Sequence, residues 1–201
     1  MPGTGTTGFN TLFEFEAALA DYTGAPYAVV TDCCTHAIEL CLRMDCVQWC
    51  EFSAFTYLSI PQLMRKLGIG YSLVPDYWRS QRQYRFHRTN IWDSARLLEP
   101  GMYQPGQKQC LSFGHGKPIE LGRVGAVLLD NEDQYQWLSR ARSDGRDLRV
   151  SPWIDQGTFA DGYHYCPTIE SCELGLEKLA AYVPLPKYHD YPDLRTIDFV
   201  T

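Results

Sequence analysis

The chain has 201 residues, a formal net charge of -6, 45% hydrophobic residues and 21% charged residues. This composition is ordinary for a globular protein, and the length is sufficient for one domain with a sizeable core. The acidic balance argues against nucleic acid as the main partner, and no apolar run is long enough to cross a membrane.

The eight cysteines bear on the cellular compartment. None of them has the paired CxxC spacing of a structural zinc site, so the sequence indicates no metal. The N-terminal residues lack the basic and apolar pattern of a secretory signal. We therefore expect free thiols and a cytoplasmic protein.

Apolar spacing predicts that helices and strands alternate along the first half of the chain. Gly24 and Gly68 are expected to end two of the helices, because glycine readily adopts the left-handed conformation of a helix end. The predicted elements are a helix over 11–21, a strand over 27–31, a helix opened by residues 32–35, an apolar segment over 50–55, a helix over 59–67, and strands over 69–74 and 90–93.

The second half continues this alternation. It contains a loop over 98–108, a strand over 126–129, and helices over 131–142 and 168–182. Strands that alternate with helices imply an α/β fold with a mainly parallel sheet flanked by helices. We expect residues 1–10 to be a flexible arm, 11–183 the folded domain, and 184–201 an extended proline-rich tail.

A single lysine, Lys117, lies in a loop of small residues ahead of the apolar run at 126–129. Such a lysine is usually solvated. Contact with a buried strand would instead desolvate the amine, and desolvation favours the neutral form, which is nucleophilic toward carbonyls.

Polar residues follow two other predicted strands. Asp93 ends a very short strand, and such positions often face the ligand crevice of an open α/β sheet. Residues 32–35 lead into a helix N-terminus, where free N–H groups and the helix dipole favour an anion such as phosphate. Simple N-capping by Thr35 or Asp32 is the alternative interpretation.

In this order, the elements resemble the DegT/DnrJ/EryC1/StrS family of sugar aminotransferases, which use pyridoxal phosphate and have fold type I. The resemblance runs from about Phe13 to Leu179, with Asp93 ahead of Ser112 and Lys117. The motifs that carry it lie at 15–24, 30–38, 55–57, 68–74, 93–96, 112–117, 122–126, 142–145 and 162–179.

The resemblance implies the large domain of a fold-type I transferase, with the C-terminal small domain missing. It also implies a homodimer with shared active sites, which would transfer an amino group from a donor such as glutamate to a nucleotide-linked keto-sugar. The stretch between Val74 and Asn90 is too short for the family's strand–helix–strand insertion, so one sheet strand is expected to be missing.

The resemblance further implies roles for individual residues. Lys117 would form a Schiff base with pyridoxal phosphate and shuttle a proton, and Asp93 would pair with the pyridine nitrogen. Tyr57 would lie against the ring. The implied cofactor contacts are Cys34, Thr35, His36, Tyr57, Asp93, Ala95, Arg96, Ser112 and Lys117, completed by His164 of the partner subunit.

Two other functions stay open. One is a non-catalytic descendant that binds the cofactor or another partner without turnover. The other is a sugar dehydratase, because dehydratases of this family have histidine in place of the lysine and His115 lies close to Lys117. The retained lysine favours amino transfer. Cys34 and Arg96 depart from the family pattern, since glycine and glutamine are usual at these positions.

Overall fold

Residues 8–184 and 191–199, which are the residues that this computed structural model describes, contain five α-helices and seven β-strands. None of the helices in these two ranges is long and apolar enough to span a membrane. The helices are α1 (Asn10–Thr23), α2 (Cys34–Met44), α3 (Ser59–Leu67), α4 (Glu132–Ala141) and α5 (Ile169–Ala180). The strands are β1 (Tyr27–Thr31), β2 (Trp49–Ser53), β3 (Gly70–Val74), β4 (Tyr84–Arg85), β5 (Ile91–Asp93), β6 (Lys108–Ser112) and β7 (Gly125–Leu129).

Local signals account for several of these boundaries. Gly24 and Gly68 end α1 and α3 with φ angles of +75° and +67°, the left-handed conformation that glycine adopts without strain. Residues 1–7 of the predicted arm, and 185–190 and 200–201 of the predicted tail, lie outside the described residues. Within the tail, Leu194–Thr196 forms a short 3-10 helix.

The strands form a five-stranded sheet in the order β1-β7-β6-β5-β4 and a two-stranded sheet of β2 and β3. The predicted α/β class is confirmed, but the pairing is mixed rather than mainly parallel. The β5–β6 and β2–β3 pairs are parallel, whereas β1–β7, β6–β7 and β4–β5 are antiparallel. The sequence analysis missed β6, which connects to β7 without an intervening helix, and neighbours joined in that way run antiparallel.

The segment between β3 and β5 lies between the two sheets. Within it, β4 turns back onto β5, so that Tyr84 is opposite Asp93. On its other side, the His87 amide donates a hydrogen bond of 2.7 Å to the Glu51 carbonyl of β2. A short return strand therefore connects the sheets where the sequence predicted a missing strand.

Two hydrophobic layers enclose β7, whose five residues are all buried. Val127 packs in a cluster with Ile38 of α2. Leu128, which points to the opposite face, packs in a second cluster with Phe15 of α1. Helices therefore cover both faces of the larger sheet, and its strand ends are left for the site.

A buried ion pair connects α1, β1 and α4. Glu16 of α1 accepts hydrogen bonds from the Arg142 guanidinium, directly after α4, and from the Val30 amide of β1 at 2.8 Å. Arg142 also donates to the Val30 carbonyl. Both charged side chains are almost completely buried, so neither charge is stabilised by water and each depends on the other.

Replacing Arg142 by methionine leaves the Glu16 carboxylate buried without its partner. We expect the free energy of unfolding, measured in urea, to fall by about 3–5 kcal/mol. Arg140→Met is the matched control, because the Arg140 side chain is 43% exposed and lies 3.9 Å from Asp147, and its loss should cost less than about 1 kcal/mol. Equal losses in the two variants would contradict the structural role of the buried pair.

Candidate active site

A cavity of about 570 Å³ lies at the carboxyl ends of β1, β2, β5 and β6. Ligands of open α/β sheets bind at this edge, because loops and helix N-termini converge there. Most of the residues that the sequence analysis assigned to a site line this cavity: Cys34, Thr35, Tyr57, Asp93, Ala95, Arg96, Ser112 and Lys117.

Lys117 reaches the cavity from the loop between β6 and β7. The Lys117 amide donates to the Gly114 carbonyl at 3.3 Å, and the Gly116 amide donates to Glu120 Oε1 at 2.8 Å. The side chain is half-buried, and its Nζ donates to the Tyr191 hydroxyl at 3.1 Å. The amine is therefore held against the protein and is not simply solvated.

Asp93 is buried at the end of β5, and two donors orient its carboxyl group. The Ala95 amide donates to Oδ1 at 3.0 Å, and the Tyr84 hydroxyl donates to Oδ2 at 2.8 Å. Burial raises the pKa of Asp93 above its usual value, although the positive charge of Lys117 and the two hydrogen bonds oppose the shift. The nearby positive charge and hydrogen bonds therefore do not fully offset the cost of burying the carboxylate. A cation in the cavity would stabilise its ionised form.

The N-terminus of α2 forms another part of the cavity wall. Its N-cap residue is Cys33, and no side chain of the described residues accepts a capping hydrogen bond there. N-capping by Thr35 or Asp32, the alternative left open by the sequence, is therefore absent. The Thr35 hydroxyl instead lies 2.8 Å from the Ser59 hydroxyl, and Ser112 also lines the cavity. Backbone N–H groups and hydroxyl groups together suit an anion.

His36 does not line the cavity, although it lies in the first turn of α2. Its Nδ1 is 2.6 Å from Asp32 Oδ1, and its ring stacks on Tyr165 with the centroids 3.7 Å apart. Burial alone would lower the pKa of His36, but its hydrogen bonds to Asp32 and Cys33 prevail and raise that pKa to about 9. Only the His36 backbone can therefore serve the anion site.

Asp32, Cys33 and His36 also offer ligand atoms that lie within 4.8 Å of one another, a spacing that could hold a metal ion. However, the Arg123 guanidinium is 3.1 Å from Asp32 Oδ2, and the N-terminus of α2 carries partial positive charge. The local field therefore favours an anion over a cation at this position.

The remaining predicted residues differ in their placement. Arg96 is buried and donates to the Gly116 carbonyl at 2.7 Å and to the Tyr191 hydroxyl at 3.3 Å. Tyr57 is 61% exposed at the cavity edge. The side chain of His164 is 90% exposed, lies 3.1 Å from Asp144, and is not among the residues that line the cavity.

Three aromatic residues of the cavity wall were not predicted: Trp78, Tyr84 and Tyr191. Tyr84 orients Asp93, and Tyr191 contacts Lys117. Trp78 and Tyr84 lie in an arginine-rich stretch of weak periodicity, and Tyr191 lies in the proline-rich tail. Only the aromatic content of the first stretch could have drawn attention to it.

Part of the chain matches the model of a known protein family. The model of the DegT/DnrJ/EryC1/StrS aminotransferase family matches residues 2–70, which include β1, α2 and the turn between them. The family resemblance is confirmed. No curated protein sequence matches the chain.

Several solved structures share the fold, among them aminotransferases. The chain matches PseC of Helicobacter pylori, an aminotransferase involved in pseudoaminic acid biosynthesis, with a TM-score of 0.69 and 14% identity over 87% of this chain and 58% of that one. The sugar aminotransferase CalS13 from Micromonospora echinospora matches with a TM-score of 0.68 and 16% identity over 87% and 62%. NtdA from Bacillus subtilis, with its cofactor PMP bound, matches with a TM-score of 0.69 and 15% identity over 86% and 48%.

The chain thus spans less than two thirds of the length of each of these three proteins. At such low identity the likeness establishes the fold, which is that of the fold-type I enzymes. The DegT/DnrJ/EryC1/StrS match and the fold agree with each other, since both point to an aminotransferase scaffold.

The raised pKa of His36 predicts a pH dependence of stability. A histidine whose pKa rises on folding from 6.5 to about 9 stabilises the folded state fully below the lower value and loses this effect as the pH rises through the higher one. The free energy of unfolding of the wild type, relative to His36→Gln, should therefore fall between about pH 6 and about pH 10. A pH-independent difference, or an NMR titration of the imidazole near its ordinary pKa, would contradict the Asp32–His36 pairing.

Proposed function

We propose that this chain is a pyridoxal-phosphate-dependent aminotransferase that transfers an amino group to a nucleotide-linked keto-sugar. The observation that carries the proposal is that Lys117 and Asp93 line one cavity beside the uncapped N-terminus of α2. An amine, a carboxylate and an anion site match the aldehyde, the ring nitrogen and the phosphate of this cofactor. The family match and the related aminotransferases support the class of reaction.

The anion site is built in a way that fits a phosphate. Gly125 at the start of β7 packs so closely against the turn that an added Cβ would lie 2.3 Å from the Cys34 amide nitrogen. The amides of Cys34 and Thr35 would hold the phosphate together with the hydroxyl group of Ser112. Cys34 in place of the family's glycine is compatible with this arrangement, because it is the first residue of a regular helix.

The other groups fit the ring and the aldehyde. Asp93 would hold a protonated ring nitrogen, which would supply the positive charge that the buried carboxyl group lacks. Its orientation by Tyr84 and the Ala95 amide leaves each carboxylate oxygen a further lone pair for that contact. Tyr57 would cover one face of the ring from the cavity edge.

Amino transfer needs a group that stores an electron pair and a base that moves a proton. The bound cofactor supplies the first, because its conjugated ring acts as an electron sink. Lys117 supplies the second, since its Nζ can bind the aldehyde and can carry a proton. Trp78 and Tyr84 bury the wall next to Asp93 and exclude water from it.

We further propose a homodimer, in which His164 of the partner subunit completes the phosphate site. This part is supported by the exposure of His164 and by exposed apolar side chains nearby in the sequence, at Trp153, Ile154 and Phe159. A cytoplasmic location is proposed as well, because all eight cysteines are free thiols.

Adding pyridoxal phosphate should turn the purified protein yellow, and borohydride should then fix the cofactor to the peptide that contains Lys117. Lys117→Ala should abolish the colour and the label. The matched control is Lys66→Arg, which keeps the ion pair with Glu39. A wild-type protein that stays colourless and unlabelled would refute the proposed cofactor.

Glutamate should then separate amino transfer from binding alone. Loss of the yellow colour on adding glutamate, and its return on adding a keto acid, would support transfer. A coloured protein that does not respond would favour the non-catalytic alternative. Asp93→Asn should slow the loss of colour by about tenfold or more, because a hydrogen bond to a charged group contributes about 1.5–3 kcal/mol. An unchanged rate would contradict the role of Asp93.

A further inference from the structure

A C-terminal segment of the chain forms part of the cavity wall. Tyr191 lines the cavity, and its ring centroid lies 6.2 Å from those of Tyr57 and Trp78. Three residues further on, Leu194 is buried, and its amide donates to the Ala54 carbonyl at 3.0 Å, just beyond β2. Tyr191 is thus anchored by an apolar contact and a backbone hydrogen bond close to it in the sequence.

The Tyr191 hydroxyl lies between two cations. Lys117 Nζ donates to it at 3.1 Å, and the Arg96 guanidinium donates to it at 3.3 Å. Arg96 also donates to the carbonyl of Gly116, the residue before Lys117, at 2.7 Å. Arg96 therefore holds both the backbone of the lysine loop and the hydroxyl group that the lysine contacts.

These contacts restrict the orientation of the Lys117 side chain. A lysine side chain has four rotatable bonds and loses up to about 2 kcal/mol of rotamer entropy when it is ordered. A hydrogen bond from the lysine amine to a fixed phenol removes part of that freedom before a ligand arrives. Reaction rates of held groups are sensitive to position, and a displacement of about 1 Å can cost about a hundredfold.

We propose that Tyr191 is a positioning residue, which aims Lys117 Nζ at the aldehyde of the cofactor, and that Arg96 fixes the Tyr191 hydroxyl in place. The inference rests on the proposed function, because it concerns the covalent capture of pyridoxal phosphate by Lys117. It adds a residue from a segment outside the family motifs to the cavity. In that capture the carbonyl carbon would exchange its double bond to oxygen for one to Nζ, and the oxygen would leave as water with two hydrogens from the amine.

The test compares covalent capture with non-covalent affinity in Tyr191→Phe. This variant keeps the ring that packs near Tyr57 and Trp78 and removes only the hydroxyl group. The rate of colour formation with pyridoxal phosphate should fall about tenfold to a hundredfold, the effect of losing one hydrogen bond to a charged group. The affinity for pyridoxine 5'-phosphate, which has no aldehyde and cannot bond to Lys117, should stay within about twofold of the wild type.

Two further variants sharpen the comparison. Tyr77→Phe is the matched control, since Tyr77 is an exposed tyrosine that does not line the cavity, and its rate should equal the wild type. Arg96→Gln leaves Tyr191 intact but removes the cation that holds its hydroxyl, so capture should also slow. This second variant keeps the proposal testable if Tyr191→Phe fails to fold, which circular dichroism would show.

The outcomes separate this inference from the proposed function. A wild type that never turns yellow refutes the cofactor, and the inference falls with it. A yellow wild type with an equally fast Tyr191→Phe variant refutes the inference alone. Equal losses of capture rate and of pyridoxine 5'-phosphate affinity would show that Tyr191 only shapes the cavity, which would also overturn the positioning role.

Discussion

The buried pair of Glu16 and Arg142 is the constraint on which the position of the site depends. Both side chains bind the backbone of Val30, just before the strand β1 ends in the turn to α2. The Arg142 carbonyl also accepts from the Tyr165 amide at 3.0 Å, and the Tyr165 carbonyl accepts from the Asp32 amide at 2.8 Å. The buried charge pair therefore fixes the end of β1 directly, and it fixes the following turn through Tyr165. The same contacts fix the position of the α2 N-terminus.

The opposite wall is built differently, from aromatic rings in segments with little regular structure. The ring of Trp78 lies 5.5 Å from that of Tyr84 and 6.2 Å from that of Tyr191. Tyr84 binds Asp93 and Tyr191 binds Lys117, so one row of rings connects the carboxylate to the amine. Such rings supply rigid apolar surface and a polar tip, which allows irregular segments to hold two charged groups in a fixed relation.

How much of this could be predicted differs between the two walls. Gly24, Gly68 and the apolar run of β7 carry local signals, and Lys117 and Asp93 follow from the order of the family motifs. Strand β6 was missed because it begins with Lys108 and Gln109, which are polar by type but buried here. Lys108 pairs with Asp45 at 3.0 Å, and Gln109 donates to Gln83 at 3.1 Å. Tyr84 and Tyr191 act through contacts distant in sequence, which spacing along the chain does not encode.

The burial of Asp93 bears on the charge of the ligand that the cavity can stabilise. A carboxyl group whose pKa rises on folding destabilises the folded state wherever the pH lies above that pKa, so the ionised form is an energetic cost of the fold. Tyr84 and the Ala95 amide offset part of the cost, and Lys117 supplies positive charge from across the cavity. A ligand that carries a protonated ring nitrogen would add positive charge next to the carboxylate, so the proposed cofactor would offset part of the cost of burying Asp93.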